Sequence, residues 1–474
     1  MPPTKICGAR PRNDLSVNGV QMATMSELDI RYILQPYTNA RSLESTGPLI
    51  IERGEGIYVY DDAGRQYIEG MAGLWNAALG FSEERLVNAA TAQLQRLPTY
   101  HNFAQKTHSP IILLAQRLSQ ISPPGLERVF FANSGSEATD TAIKLIWYFN
   151  NALGRRQKKK IISRNRAYHG TTIASASLTG LPGNHQDFDL PLACILHTLC
   201  PHHYRFALDG ETEEEFSDRA AAELEALIVR EKPETIAAFI GEPVMGAGGV
   251  IIPPRTYWEK IQKVCRKYDV LIIADEVVTG FGRTGKMFGA ETFGIEPDMM
   301  ILSKQLTSGY QPLSAVLFTD GIYQAIADNS NLLGSFGHGF TTGGHPVAAA
   351  VALEGMTIFD ERRIVDDVAA IAPLFAEEIS RFADHPLVGH VRSIGLLGAV
   401  ELVADKASKS PFAAPGRTGA FLAGRCLANG VVLRALGDTI AFSPPLIIDP
   451  QQVMQIFSRF SRSLNETFEW SRNQ

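Results

Sequence analysis

The stretch from residue 270 to residue 304 constrains the fold of this chain more than any other part of it. It opens with an apolar run over residues 270–274, which is too short for a core helix and rich in β-branched side chains, the pattern of a buried parallel strand. Asp275 ends that run, and Lys304 closely follows a second apolar run over residues 299–302. Open α/β sheets bind their ligands at the carboxyl ends of the strands. The sequence therefore predicts an acid and an amine at one ligand-binding edge.

The chemistry of Asp275 and Lys304 points to one cofactor. A lysine that condenses with an aldehyde must lose its proton, and partial burial lowers its pKa by disfavouring the charged form. Pyridoxal phosphate needs such a lysine, and it also needs an acid or an arginine at its ring nitrogen. A carboxylate about 4 Å from that nitrogen contributes about 4 kcal/mol at an effective dielectric constant of about 20, which keeps the nitrogen protonated at neutral pH. A structural ion pair between the two side chains is the alternative.

A glycine-rich segment between the two runs suggests a different class of protein. Residues 280–286 read GFGRTGK, which matches GxGxxG and nearly matches a Walker A loop. However, Met287 stands where a P-loop has the Ser or Thr that holds magnesium, and Asp275 and Glu276 would lie beside the pyrophosphate of a dinucleotide. We therefore interpret the segment as a tight connection and keep a nucleotide-binding module as the alternative.

A helix start after a short strand is a candidate phosphate site. The strand covers residues 129–131 and is followed by Ser134, Gly135 and Ser136, after which apolar residues recur at helical spacing. Small residues at a helix start leave backbone N–H groups free to bind phosphate. An ordinary N-cap uses the same residue types, so the sequence leaves both interpretations open.

Two further strand ends carry side chains that suit a ligand site. The predicted strand over residues 160–163 leads to Tyr168, which offers a ring for stacking, and the strand over residues 236–240 leads to Glu242. A structural aromatic and a loop-capping acid are the alternatives. Strands that alternate with helices form a mostly parallel sheet with right-handed crossovers. All four strand ends then share one edge, and this joint placement favours a site over four separate structural explanations.

Features outside this edge complete the pattern. Trp75 lies among glycines and small residues outside any periodic segment, which is typical of a loop anchor or a pocket wall, and by itself favours the anchor. Arg434 is a cation in an apolar run, and such arginines pair with a carboxylate of the protein or of a ligand. Residues 54–67 alternate about a DxxG turn, which predicts a β-hairpin. Beyond Asp360 the pattern changes to helix, short strands and a final helix, which indicates a second domain.

Charge and cysteine content exclude several classes of function. The net charge of −6 and the pI of about 6.0 predict neither a nucleic-acid nor a membrane partner. The basic run over residues 155–160 is interpreted as a solvated loop. Five cysteines without a CxxC pair indicate a reducing compartment. The histidines and the cysteine of residues 197–203 lack a second ligand pair at zinc spacing, so we expect no metal.

The N-terminal residues suggest where the protein resides. Residues 1–25 contain no apolar segment of the kind found in secretory signals, and no apolar run in the chain reaches spanning length. Residues 1 to about 35 are expected to form a flexible arm with a short helix. We predict a cytoplasmic location, with the mitochondrial matrix as the alternative because Lys5, Arg10 and Arg12 are compatible with a transit segment.

Taken together, the motifs resemble those of the class III aminotransferases of pyridoxal-phosphate fold type I. The similar segments span about residues 45 to 450, and they are NSGSEA, AYHG, EPVMGAGG, ADEVVTGFGRTG, SKQLTSGYQP and HGFTTGGHP. The resemblance extends to the pyruvate-dependent group that includes ω-amino acid and amine:pyruvate transaminases and plant-type 4-aminobutyrate transaminase. It implies an α/β fold, with a mostly parallel sheet flanked by helices and a smaller α+β domain built from both termini.

The resemblance also implies roles for individual residues. Lys304 would hold the cofactor aldehyde as a Schiff base, Asp275 would bind the ring nitrogen, and Glu242 would orient the site. The remaining cofactor-binding residues would be Ser134, Gly135 and Ser136 at the phosphate, with Thr341 from the neighbouring subunit, and Tyr168 and Val277 on the two ring faces. The substrate pocket would be lined by Trp75, Phe103, Tyr168 and Arg434, which makes Trp75 a pocket wall rather than an anchor.

The expected protein is therefore a transaminase that works by a ping-pong cycle. It would move an amino group from an amine or ω-amino acid to pyruvate or glyoxylate, with an aminomutase or a decarboxylase on the same fold as the alternative. The expected assembly is a homodimer with shared active sites, or a tetramer. The expected domains are an N-terminal arm with a segment of the small domain over residues 1–75, a large cofactor-binding domain over 76–345 and a C-terminal small domain over 346–474.

Overall fold

The protein is described by a computed structural model that covers residues 23–472. These residues form two compact units, one of residues 23–53 and 59–66 and the other of residues 54–58 and 67–472. The domain boundaries at residues 75 and 345 remain a prediction. No helix within the described range combines the length and the apolar composition that crossing a membrane requires.

The first unit contains two short helices, α1 (Met25–Tyr32) and α2 (Ala40–Thr46). Helix α1 begins with a capping box in which Thr24 and Glu27 accept each other's backbone N–H groups. The short helix predicted near the N-terminus is therefore confirmed, while the remainder of the predicted arm, residues 1–22, lies outside the described residues.

The first three strands are β1 (Ile51–Glu55), β2 (Tyr58–Asp61) and β3 (Gln66–Glu69). Between β2 and β3 the chain reverses, because the Gly64 N–H donates to the Asp61 carbonyl at 2.9 Å and the Asp61 N–H donates to the Arg65 carbonyl at 3.1 Å. The predicted hairpin about the DxxG turn is confirmed.

A seven-stranded sheet forms the centre of the second unit. Its strands are β4 (Leu126–Ala132), β5 (Lys160–Arg164), β6 (Ile195–Thr198), β7 (Ile236–Gly241), β8 (Leu271–Asp275), β9 (Met299–Leu302) and β10 (Ser314–Thr319), in the order β4-β10-β9-β8-β7-β5-β6. Strand β10 is antiparallel to both of its neighbours, and the other pairs are parallel. The central strands β7 and β9 are buried along their whole length, which is why their sequences are apolar at every position. The predicted mostly parallel sheet is confirmed.

Helices cover this sheet and join its strands. They are α3 (Ala72–Trp75), α4 (Glu84–Arg96), α5 (Ser109–Ile121), α6 (Gly135–Ala152), α7 (Ile173–Leu178), α8 (His203–Phe206), α9 (Glu213–Glu231), α10 (Tyr257–Lys267), α11 (Gly289–Phe293), α12 (Asp320–Leu333) and α13 (Pro346–Glu361). Short 3-10 helices lie at Pro182–Asn184, Pro233–Thr235 and Lys304–Thr307. Helix α9 buries an apolar face that includes Phe216 and Leu224, while its acidic first turn is exposed to solvent.

The C-terminal part of the chain contains a separate antiparallel sheet. The helices and strands of this part are α14 (Ile364–Ser380), β11 (Val388–Ile394), β12 (Leu397–Leu402), α15 (Arg417–Ala428), β13 (Val431–Val432), β14 (Arg434–Leu436), β15 (Thr439–Phe442) and α16 (Pro450–Ser471). The sheet order is β11-β12-β15-β14, and the separate strand β13 pairs in parallel with β3. The change of pattern predicted beyond residue 360 is confirmed.

The glycine-rich segment over residues 280–286 is a buried connection. Phe281 and Gly282 adopt positive φ angles of 59° and 90°, and the Gly282 N–H bonds back to the Met287 carbonyl at 3.1 Å. Arg283 is fully buried and donates to the Pro444 carbonyl. A loop whose cation is enclosed in this way cannot cradle a nucleotide phosphate, so the tight connection is confirmed and the nucleotide-binding alternative is not supported.

Two glycines of α15 provide a test of this packing. A Cβ at Gly419 would lie 2.1 Å from the Gly437 carbonyl oxygen, whereas a Cβ at Gly424 would meet nothing within 4 Å. We expect Gly419→Ala to lower the free energy of unfolding by about 2 kcal/mol because the clash must shift the backbone. Gly424→Ala, the matched control, should raise it by about 0.5–1 kcal/mol because alanine favours the helix. Denaturant unfolding measures both, and equal shifts would contradict the packing described.

Candidate active site

The carboxyl ends of neighbouring strands carry the candidate residues. Strands β9, β8, β7 and β5 are consecutive neighbours and mutually parallel, so the residues that follow them emerge at one edge. Asp275 pairs with Ile301 in the register of β8 and β9, three residues before Lys304. The end of β4 lies at the same edge, because Ala132 pairs with Ser314 of β10. The predicted alignment of strand ends is confirmed.

Asp275 is buried and held by two hydrogen bonds. Its Oδ2 lies 2.7 Å from His169 Nδ1, and its Oδ1 accepts the Val277 N–H at 3.1 Å. The partner of the carboxylate is thus a histidine, and Asp275 forms no ion pair with Lys304 within residues 23–472. The alternative of a structural ion pair between the two is therefore wrong.

His169 is a site residue that the sequence analysis left without a role. It is 3% exposed, and its Nε2 is buried and has no hydrogen-bond partner among the described residues. Its backbone N–H donates to Thr179 Oγ1 at 2.9 Å, which helps to hold the ring in place. Its position directly after Tyr168 at a strand end is the only signal in the sequence that could have marked it.

Lys304 combines a left-handed backbone conformation with an amine that has no partner among the described residues. It begins the 3-10 helix after β9 with a φ of +44°, a left-handed conformation that costs a non-glycine residue of order 1–3 kcal/mol and often marks functional sites. The amine makes no hydrogen bond or ion pair with any residue in the described part of the chain. Burial lowers the pKa of Lys304 from 10.5 to about 8, although the charges of Asp275 and Glu242 nearby act in the opposite direction.

Glu242 connects two loops at this edge. Its Oε1 accepts the Tyr168 N–H at 3.1 Å and its Oε2 accepts the Gly246 N–H at 2.9 Å. Burial raises the pKa of Glu242, while the charge of His169 lowers it. Glu242 therefore caps loops, as the structural alternative predicted, and in doing so it also orients the backbone of Tyr168. The Tyr168 side chain is partly buried.

Glu276 serves a different purpose from Asp275, although the two are adjacent. It is 1% exposed, and its carboxylate accepts the Gly289 and Ala290 N–H groups at 3.0 and 2.6 Å and the Thr279 hydroxyl. Burial raises the pKa of Glu276 to about 7. Its contacts stabilise the start of α11, so of the two acids at this strand end Asp275 is the one that bonds to His169.

The start of α6 satisfies both interpretations that the sequence left open. Ser134 and Glu137 form a capping box, which confirms the N-cap. The backbone N–H groups of Gly135 and Ser136 are left without hydrogen bonds among residues 23–472. A Cβ on Gly135 would lie 3.5 Å from the side chain of Val277, so this helix start adjoins the loop after Asp275. A phosphate could therefore use the free N–H groups without disturbing the cap.

Phe103 and Thr341 belong to a second group along the glycine-rich segment over residues 338–346. Both are exposed in the single chain, and Phe103 is 42% exposed. A Cβ at Gly339 would lie 2.6 Å from the Phe103 ring, so the ring lies against this segment. Thr342 donates to Asn133 Oδ1 at 2.9 Å, which attaches the segment to the residue before the helix cap.

Trp75 lies in α3, which follows strand β3, and Arg434 begins strand β14 of the C-terminal sheet. Trp75 is 2% exposed and belongs to a buried cluster that includes Val278 and Ala441. Arg434 pairs with Ala441 in the register of β14 and β15, and its charge lowers the pKa of Lys304. Arg434 makes no ion pair within the described chain, so the protein carboxylate that the sequence allowed as its partner is not found among those residues.

A group of possible metal ligands lies elsewhere. The ligand atoms of His202, His390 and Glu401 lie within 4.8 Å of one another. However, Arg392 and Arg205 both donate to the carboxylate of Glu401, and the charge of Arg392 adds to burial in lowering the pKa of both histidines. Two guanidinium groups already bind the one acid of this group, and their positive charge opposes the binding of a metal ion there.

Comparisons with known proteins agree with this geometry. The family model described as "Aminotransferase class-III" matches residues 39–464. The chain belongs to the class III aminotransferase family. A gamma-aminobutyrate transaminase 1, mitochondrial, from Oryza sativa subsp. japonica is 49% identical over 467 residues, covering 98% of this chain and 90% of the relative. A gamma aminobutyrate transaminase 1, mitochondrial, from Solanum lycopersicum is 51% identical over 436 residues, covering 92% of this chain and 85% of the relative.

Solved structures lead to the same family. The omega transaminase from Pseudomonas jessenii in complex with PMP has 60% sequence identity and a TM-score of 0.94, and the match covers 94% of this chain and 99% of that one. The predicted fold type I architecture, the transaminase activity and the pyridoxal-phosphate cofactor are confirmed. This class III aminotransferase therefore acts on an amine and a keto acid, as its family does.

The described residues suit pyridoxal phosphate. The unpaired Lys304 amine, the buried acid Asp275 and the free N–H groups of Gly135 and Ser136 match the aldehyde, the ring nitrogen and the phosphate. Gly170 adds a close backbone approach, because a Cβ there would lie 2.6 Å from the Ser136 hydroxyl.

The lowered pKa of Lys304 predicts how cofactor loading depends on pH. Only the neutral amine attacks an aldehyde, and its pKa of about 8 means that the neutral fraction rises about tenfold per pH unit below 8 and levels off above it. Mixing cofactor-free enzyme with pyridoxal phosphate between pH 7 and pH 10 and following visible absorbance measures the rate. A rate that still rises steeply above pH 9 would contradict the burial of this amine.

The bond between His169 and Asp275 predicts a loss of rate without a loss of fold. His169→Leu removes a hydrogen bond to a charged group, which costs about 1.5–3 kcal/mol and corresponds to about 10- to 100-fold in kcat. The control is His203→Leu, because His203 is hydrogen-bonded to the Glu211 carbonyl at 2.9 Å instead of to the site. Steady-state kinetics of both variants, with thermal unfolding to verify the fold, measure the difference. Equal rates for the two variants would refute a role for His169.

Proposed function

We propose that this class III aminotransferase moves an amino group from an ω-amino acid or an amine to pyruvate or glyoxylate. The observation that carries the proposal is the unpaired Lys304 amine with a lowered pKa beside the buried acids Asp275 and Glu242. The names of the relatives, gamma-aminobutyrate transaminase and omega transaminase, support a donor whose amino group lies away from the carboxylate or stands without one.

The residues at the strand ends would have different roles in catalysis. When bound, pyridoxal phosphate supplies an aldehyde that takes up the amino group and a ring that withdraws the electron pair left when a C–H bond breaks. Lys304 would hold the cofactor in the resting enzyme. Once released, its amine would remove the proton from the donor carbon that carries the nitrogen and later return a proton. Asp275, oriented by His169, would keep the ring nitrogen protonated.

The remaining cofactor contacts are proposed for residues of the loops at the same edge. Gly135 and Ser136 would bind the phosphate through their backbone N–H groups, with Ser134 as the cap of the same helix. Tyr168 and Val277 would pack on the two ring faces. Glu242 would keep Tyr168 in place through its backbone N–H.

The substrate pocket would be lined by Trp75, Phe103, Tyr168 and Arg434. Arg434 has no carboxylate partner among residues 23–472, which supports a role in binding the carboxylate of the substrate. A guanidinium can bind a carboxylate through two hydrogen bonds. When the Arg434 side chain changes its rotamer, it would leave space in the pocket for an uncharged amine. One pocket would then accept β-alanine, 4-aminobutyrate or an arylalkylamine as donor.

The assembly and the location belong to the same proposal. We propose a homodimer with shared active sites, or a tetramer, in which Thr341 reaches the phosphate of the neighbouring subunit. The exposure of Thr341 and Phe103 in the single chain supports this arrangement. The domains would be those of residues 1–75, 76–345 and 346–474. A cytoplasmic location stays a prediction, and the word mitochondrial in the relatives' names supports the alternative, the mitochondrial matrix.

Two half-reactions test the proposed cycle. Adding an amine donor to the purified enzyme should bleach its visible absorbance, and adding pyruvate or glyoxylate should restore it, because the amino group is held between the two steps. Turnover should stop without a keto acid and release no carbon dioxide, which separates a transaminase from an aminomutase and a decarboxylase. A panel of donors and acceptors followed by the same signal ranks the substrates.

Two variants test the roles of individual residues in the same experiment. Lys304→Ala should abolish both the resting absorbance and turnover, and an unchanged spectrum would refute the role given to Lys304. In the donor half-reaction, Arg434→Ala should abolish bleaching by donors that carry a carboxylate and spare bleaching by a hydrophobic amine, since only the former need the guanidinium. Equal losses of bleaching with both donor types would refute the role of Arg434 and leave that of Lys304 intact.

A further inference from the structure

Glu69 is a buried acid that the proposed chemistry does not use. It ends strand β3, is 6% exposed, and makes no ion pair among residues 23–472. Burial raises the pKa of Glu69 to about 7, and hydrogen bonds from the backbone of Met71 and Gly73 only partly oppose this. Burying a carboxylate without a cation is costly, so a neutral residue would be expected here unless the carboxylate itself is needed.

The backbone conformation after Glu69 explains why a carboxylate is needed at this position. Ala72, Gly73 and Trp75 adopt positive φ angles of 48°, 65° and 65°, and two of these three residues carry a Cβ that makes such angles unfavourable. A segment with this backbone persists only where its surroundings hold it. The short helix α3 has no side-chain cap of its own.

The carboxylate of Glu69 stabilises this backbone by accepting a hydrogen bond from it. The Met71 N–H donates to Glu69 Oε1 at 2.9 Å, and the backbone N–H of Gly73 also acts on this carboxylate by lowering its pKa. A carboxylate has several acceptor sites and can receive both N–H groups. A glutamine at this position would offer one uncharged acceptor oxygen in place of the two oxygens of a carboxylate, so it would hold the turn less strongly at the same volume.

The segment held in this way leads to Trp75 and starts beside Arg434. Val432 of β13 pairs in parallel with Glu69, and the Gly70 N–H donates to the Val432 carbonyl at 3.0 Å. Two residues after Val432 the chain reaches Arg434. Since parallel strands end at the same edge, Trp75 and Arg434 emerge from one strand pair, and Glu69 lies at its end.

We propose that Glu69 is a positioning residue for donor selection, which sets the place of the Trp75 ring by holding the backbone of residues 71–73. The proposal rests on the proposed function of Trp75 as a wall of the substrate pocket. Trp75 packs in a buried cluster with Val244 and Val278, which belong to the loops after Glu242 and Asp275, so a displaced ring changes the space beside those loops. Loss of the hold should enlarge the pocket and favour bulky donors.

A double-mutant cycle tests this proposal with the cofactor-loaded enzyme. The measured quantity is the ratio of kcat/KM for a bulky arylalkylamine to kcat/KM for β-alanine, with pyruvate as acceptor. Glu69→Gln should raise this ratio about tenfold, which corresponds to the lower end of the cost of losing one hydrogen bond to a charged group. In a Trp75→Ala background the same change should alter the ratio less than about twofold, because the ring through which Glu69 acts is absent.

The outcomes separate this proposal from the function on which it rests. A ratio that changes with Trp75→Ala but not with Glu69→Gln, or an effect of Glu69→Gln that is equal in both backgrounds, overturns the role of Glu69 alone. A ratio that does not respond to Trp75→Ala overturns the pocket role of Trp75 and this proposal with it. Most of the expected change lies in KM, since Lys304 and Asp275 are untouched, and the visible absorbance should be the same in every variant.

A matched control separates positioning from the general loss of a buried acid. Glu378 in α14 is 5% exposed and is paired with Arg381 instead of with the Trp75 segment. Glu378→Gln should leave the donor ratio within about twofold of the parent. If Glu69→Gln does not yield folded enzyme, Glu69→Asp takes its place in the same cycle with the same expected outcome, because the shortened carboxylate no longer reaches both N–H groups.

Discussion

The cost of burying charge at one edge of the sheet organises this enzyme. Two carboxylates, those of Asp275 and Glu242, are enclosed beside the lysine, and each buried ion costs several kcal/mol unless other groups stabilise it. Here backbone N–H groups and His169 stabilise the acids. Because the acids are satisfied without Lys304, the amine stays unpaired and burial lowers its pKa to about 8. An ion pair with Lys304 would have favoured its charged form and kept it from acting as a nucleophile.

Parallel strands bring these groups together from distant parts of the chain. Residues from 168 to 304 meet because β5, β7, β8 and β9 end at the same edge. The smaller pair of β3 and β13 does the same for Trp75 and Arg434, which are far apart in the sequence. In both cases the strand end supplies the position and the following loop supplies the function, and an acid with backbone donors holds the loop: Glu242 at Tyr168, and Glu69 before Trp75.

Two residues of the proposed site have a strained backbone. Lys304 and Trp75 both adopt positive φ angles, 44° and 65°, in the short helical segments that come after strands β9 and β3. Such conformations persist where surrounding packing and hydrogen bonds determine them. Lys304 follows strand β9 of the buried seven-stranded sheet, and Trp75 packs in a cluster with Ala399 and Ala441 of the C-terminal sheet. Precision at the site is thus obtained from a stable core and from buried polar contacts acting on a few loop residues.

The sequence by itself determined the strands of the large sheet, their mostly parallel arrangement, and Asp275 and Lys304 as the central residues of the site. These follow from local apolar runs and from the residue types at the ends of those runs. It did not determine that Asp275 bonds to His169 while its neighbour Glu276 stabilises α11, since the direction of each side chain depends on loops packed from elsewhere. The sequence also did not determine that the amine of Lys304 and the guanidinium of Arg434 have no ion-pair partner among the described residues, because ion pairing depends on which charges the tertiary structure brings close together. Hydrogen bonds between residues far apart in the chain decide these matters, and no local pattern encodes them.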